Sequence, residues 1–76
     1  MIRVEGHTDS DGGETYNLDL SQSRAEAVVD HLVTRGIDRA RLDPAGFGKR
    51  RPVADNDSEE GKSRNRRVEF LIVDKD

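Results

Sequence analysis

Ala25, Val28, Val29, Leu32 and Val33 fall at i, i+3, i+4, i+7 and i+8. That spacing draws one apolar stripe along a helix and obliges the rest of the chain to supply a surface that covers it. The helix has a legible stop. Gly36 suits the left-handed position after Arg35, and Ile37 can then reach back to Leu32. For its start, Ser21 is the favoured N-cap, with Asp19 and Gln22 as a competing capping pair.

The covering surface reads as a small sheet. Ile2-Arg3-Val4-Glu5 alternates apolar and charged residues, as a half-buried strand does, and Gly6 ends it. A polar loop follows from His7 to Tyr16. Arg41 to Gly46 is a second strand, confined by Pro44 to an edge or an irregular end. Phe47 to Asp57 reads as loop, and Ser58-Glu59-Glu60-Gly61 as one helical turn. Arg67 to Val73 carries Val68, Phe70 and Ile72 on one face and Leu71 and Val73 on the other, which predicts an interior strand. The expected class is therefore α+β, a small mixed β-sheet with one main helix packed on it. One helix and three strands leave such a sheet incompletely covered, so a further segment is expected ahead of Met1.

Composition sharpens this. Leu, Ile, Val and Phe number 17 of 76 residues, just above the level of roughly 20% below which disorder becomes the default. Their clustering argues for a thin but real core. No run approaches the ~20 apolar residues of a membrane span. The absence of cysteine excludes disulfides, thiolate metal sites and cysteine catalysis. A net charge of −3 argues against general nucleic-acid binding. No apolar signal segment opens the chain, although an exported protein would need one, so a segment of a longer chain is expected.

Asp9 and Arg24 are the strongest candidates for recognition. Asp9 lies in a loop directly after a strand, where the scaffold is rigid and the side chain free. With Ser21 as N-cap, Arg24 falls in the first helical turn, where a cation opposes the macrodipole and makes sense as a carboxylate receptor. Together they would read a zwitterion, such as an amino-acid end, unless they simply pair with each other and pin the loop. Asn17 either caps the loop or touches a ligand, and Leu20 is a hydrophobic staple or a pocket wall.

Other patterns carry less. His7 and Asp9 form an H-x-D pair without further ligands at convergent spacing, so no metal site is expected, and His7 should bond to loop backbone. Asp9 to Gly13 resembles a calcium loop only superficially, because Glu14 stands where the sixth-position glycine belongs and Leu20 where the twelfth-position glutamate belongs. Lys49-Arg50-Arg51 and Arg64-Asn65-Arg66-Arg67 are basic, with too few aromatics for a single-strand binder, and read as a solvated or salt-bridged face. No nucleophile, base and orienter set appears, so no enzyme is expected.

Taken in order, Gly6-His7-Thr8-Asp9, Tyr16-Asn17-x-x-Leu20-Ser21-x-x-Arg24-Ala25, Gly36-Ile37, Gly46-Phe47-Gly48, Pro52 and Asn65-Arg66-Arg67-Val68 closely resemble the OmpA-like C-terminal domain family. That family includes OmpA, peptidoglycan-associated lipoprotein and MotB. The similarity runs from Ile2 to about Val73. It implies a non-catalytic module on the periplasmic face of the cell envelope, without cofactor or metal. It also implies binding of peptidoglycan through the diaminopimelate of the stem peptide, with Asp9 and Arg24 on the ligand's charged groups. Thr8, Asn17, Leu20 and Arg66 take the supporting positions. Family members begin with a strand and a helix ahead of the Gly-His-Thr-Asp strand, so residues 1–76 are expected to be the C-terminal part of the domain. The rival reading is a protein-interaction or oligomerisation fragment whose uncovered sheet edge or face pairs with another chain.

Overall fold

The computed structural model describes residues 1–73. Along the chain run β1 (Ile2–His7), α1 (Glu14–Thr34), a 3-10 turn (Arg39–Arg41), β2 (Leu42–Gly48), α2 (Glu59–Asn65) and β3 (Arg67–Ile72). The sheet order is β2-β1-β3, with β1 parallel to β2 and antiparallel to β3. This is the expected mixed α+β arrangement. β2 takes an edge, as Pro44 requires.

Val4, Ala25, Val29 and Leu42 form the buried core between α1 and the sheet, with Ile2, Val28, Leu32, Val33, Ile37 and Val68 packed around it. The stripe read from the sequence is thus the lower half of the helix–sheet contact. The helix stop is also as read. Gly36 has φ +100°, its N–H donates to the Val33 carbonyl, and the Ile37 N–H donates to the Leu32 carbonyl at 3.2 Å.

The helix start is not. α1 begins at Glu14 after an extended Gly13, and Ser21 lies fully buried inside it rather than at its cap. The buried face runs Asn17, Ser21, Ala25, Val29 at steps of four, so its first half is polar and invisible to apolar periodicity. Close approach explains that choice. A Cβ on Gly6 would collide with the Ser21 carbonyl, and one on Gly46 with the Gln22 backbone. The helix backbone presses onto glycines of β1 and β2, leaving no room for large apolar side chains. Ser21 Oγ instead donates to the Leu18 carbonyl and accepts from the Gly48 N–H at 2.8 Å.

Two strand expectations change as well. β1 continues through Gly6 to His7, because the glycine is the contact point for α1 and not a terminator. β3 is an edge of the described sheet, not an interior strand. Its apolar face lies on the helix side, but α1 packs over β1 and β2, leaving Phe70 58% and Ile72 88% exposed.

Candidate functional site

Directly past β1, the Thr8 N–H donates to the Gly48 carbonyl at 2.9 Å and carries the strand ladder one residue further. The Thr8 hydroxyl is spent on the Asp9 carbonyl at 3.0 Å. Asp9 therefore leaves a fixed backbone, and it is only 7% exposed. Its Oδ1 accepts from the Asp11 N–H at 3.0 Å, and its Oδ2 accepts from Arg66 Nη1 at 2.5 Å. Burial by itself would raise the Asp9 carboxyl. The Arg66 and Asp11 bonds, with the charges of Arg66 and Lys62, outweigh it and hold the group below the usual aspartate value. Asp9 is an anion with its geometry already set.

Two elements frame it. Lys62 Nζ, on α2, stands 3.3 Å from Asp11 Oδ1. On α1, Asn17, Leu20 and Arg24 share one face at i, i+3 and i+7. Asn17 is buried and its Nδ2 donates to the Asp11 carbonyl at 2.8 Å, which fixes the near end of that face against the Asp9 loop. Leu20 is half-buried and Arg24 exposed. The helix advances about 10 Å from Asn17 to Arg24, and helical Cα–Cβ bonds tilt toward the N-terminus, hence back toward that loop.

Arg24 is thus not in the first helical turn, and no helix-start N–H groups surround it. Nor does it pin the loop by pairing with Asp9, whose partner is Arg66, 57 residues away. Among the described residues Arg24 joins no ion pair. Lys62, and Asn56, whose Oδ1 accepts from Ser10 and Asn65, escaped the sequence reading because contacts between segments distant in sequence leave no periodic signal. The one available clue was the Asn65-Arg66-Arg67 run.

His7 also differs from expectation. Its Nε2 meets Glu5 Oε1 at 3.2 Å on the sheet face away from α1, and its ring stacks on Phe47, over which Arg51 lies at 4.2 Å. Donor atoms of Glu5, His7 and Glu69 lie within 4.8 Å of one another, near enough to share a cation. Arg67 already bonds Glu69, whose carboxyl that bond holds low, and Arg3 stands 3.9 Å from Glu5. Two acids balanced by two arginines make a closed ion cluster, and we assign no metal to it.

Part of the basic cluster after β2 is engaged internally. Lys49 donates to the Gly12 carbonyl and Arg50 pairs with Glu14 at 2.9 Å. No helix among the described residues is long and apolar enough to cross a membrane.

The ordered glycines, the Asp9 turn and the α1 face have a counterpart among known proteins: a profile of the OmpA family matches residues 1–66. The chain belongs to the OmpA family. It is 52% identical over 72 residues to outer membrane protein A of Bordetella avium, covering 95% of this chain and 37% of that protein. It is 39% identical over 71 residues to the peptidoglycan-binding protein ArfA of Mycobacterium tuberculosis, covering 93% of this chain and 22% of that one. The crystal structure of the peptidoglycan-associated lipoprotein from Burkholderia pseudomallei superposes with a TM-score of 0.89 at 38% identity, over 92% of this chain and 59% of that chain. This OmpA-family chain accordingly spans about a third or less of the curated relatives just described. The family's domains are structural and anchoring modules, not enzymes.

Proposed function

We propose that this chain binds cell-wall peptidoglycan without catalysis, through the diaminopimelate of the stem peptide, and so anchors an envelope protein to the wall from the periplasmic side. The observation that carries the reading is the Asp9 carboxylate, buried, ionised and held by Asp11 and Arg66 at the end of the α1 face that bears Arg24. A ligand ammonium meets Asp9. Its carboxylate meets Arg24, and Arg66 provides a second cation once it shares Asp9 with the ammonium. Leu20 lines the methylene chain between the charged ends, and Thr8 and Asn17 keep the loop in shape. The names of ArfA and of the Burkholderia lipoprotein support the same class of ligand.

The test is a residue-resolved titration with two stem peptides, one carrying diaminopimelate and one carrying lysine. Lysine lacks the second carboxylate, which leaves Arg24 without its partner, so affinity should drop clearly. Equal affinity for the two peptides refutes the assignment of that carboxylate.

A second reading rests on a different surface. Ile2, Leu32, Ile37, Leu42, Phe70, Leu71 and Ile72 line an apolar groove of about 480 Å³ beside the β3 edge. Exposed apolar surface beside an unpaired edge favours self-association. A concentration-dependent dimer in sedimentation, indifferent to the stem peptide, would support this reading over the first.

A further inference from the structure

α2 is short, yet it touches both loops that shape the Asp9 turn. Gly61 and Asn65, four residues apart, are its buried face against residues 53–56. A Cβ on Gly61 would collide with the Asp55 carbonyl, so the helix lies directly on that backbone. Lys62 on α2 and Arg66, the residue that caps its C-terminal end, pair with Asp11 and Asp9.

Asn65 is fully buried and uses its whole hydrogen-bonding capacity. Its Oδ1 accepts from the Val53 and Ala54 N–H groups at 2.8 and 2.9 Å. Its Nδ2 donates to the Ala54 carbonyl at 3.0 Å and to Asn56 Oδ1 at 2.8 Å. That same Asn56 oxygen accepts the Ser10 N–H at 3.2 Å. The bonds run without a gap from the buried last residue of α2, through two side-chain amides, to the residue that follows Asp9.

We propose that Asn56, held by Asn65, is a positioning residue that keeps the Asp9 turn in its binding geometry. The inference rests on the peptidoglycan reading for its consequence in binding, but not for the tether itself. The need for such a tether follows from the site's chemistry. In the free chain Arg66 orients Asp9, yet a ligand carboxylate competes for that arginine. When it does, the Asp9 carboxylate loses one of its two protein partners, and the turn depends on the bonds made by its neighbours. Asn56 holds the loop at Ser10, and Lys62 and Asn17 hold it at Asp11, and a ligand ammonium at Asp9 needs to displace none of these bonds. Preorganisation therefore survives the exchange of partners.

Asn56 is half-buried and off the core, so Asn56→Ala should fold. Amide exchange at Ser10 should accelerate at least about 5-fold, and the Asp9 titration should move up as its grip on Arg66 loosens. Affinity for the diaminopimelate stem peptide should fall about 3- to 10-fold, and the thermal midpoint should fall modestly, because the buried Asn65 Nδ2 loses one of its two acceptors. Asn56→Asp keeps an acceptor for both donors and should restore Ser10 protection. Unchanged Ser10 exchange in Asn56→Ala overturns the proposal. So does faster exchange with undiminished affinity, or lost stability with an unmoved Asp9 titration. If Asn56→Ala does not fold, Asn56→Gln, which displaces the amide by one methylene, is judged by the same readouts. A parent chain that binds no stem peptide defeats the peptidoglycan reading alone, and the tether is then decided by Ser10 exchange and the Asp9 titration.

Discussion

Replacing Arg66 by alanine isolates the electrostatics of the site. In the parent chain the guanidinium lies 2.5 Å from an aspartate that is 7% exposed, while the Arg66 side chain itself is 40% exposed. The pair is neither a surface bridge worth about 0–1 kcal/mol nor a fully buried one whose rupture costs about 3–5. A charge-assisted bond with one buried partner, discounted for the solvent around the arginine, should contribute about 1–2 kcal/mol. Because Asp9 titrates below its unfolded value, near 3.9, this contribution is complete above that pH. It disappears as pH falls through the lower, folded value. In Arg66→Ala, burial acts on Asp9 against only the Asp11 N–H and the charge of Lys62, so the carboxyl must titrate higher than in the parent. Denaturant unfolding at neutral pH and at a pH below the folded Asp9 titration, which NMR of the carboxyl locates, measures both effects. The destabilisation should be present at neutral pH and largely gone in acid. A loss of stability of equal size at both pH values, or an Asp9 titration that does not move, would refute the account of this pair.

Two further substitutions separate folding from recognition. Gly6→Ala drives a methyl into the Ser21 carbonyl, a backbone atom that cannot yield without shifting α1, and should cost more than about 3 kcal/mol, seen as a large fall in thermal midpoint. Arg24→Ala, at an exposed position without an ion pair among the described residues, should leave stability within about 0.5 kcal/mol while stem-peptide affinity falls roughly 10–150-fold. Unfolding of Arg24→Ala, or undiminished binding by a folded variant, would remove it from the recognition surface.

Local chemistry in the chain was enough to define much of the scaffold. The stripe from Ala25 to Val33 named the core side of α1, and Gly36-Ile37 named its end, because both are set by residues within two turns of each other. Pro44 marked β2 as an edge, since proline has no N–H to donate to a sheet ladder. Alternation in Ile2–Glu5 located the start of β1. Asp9 stood out as a loop acid behind a strand.

What the tertiary structure alone decided lies where distant segments press together. Asn17 and Ser21 are polar but buried, because glycines of β1 and β2 bring backbone against backbone; hydropathy therefore hid the first half of α1 and misplaced Arg24. β3 has apolar residues on both faces, yet whether a strand is an edge depends on what lies beside it, a property no segment encodes by itself. The partner of Asp9 was decided in the same way. Arg24 and Arg66 are both cations at suggestive positions, and only the packing of α2 against the 53–56 loop brings the second within reach of the carboxylate.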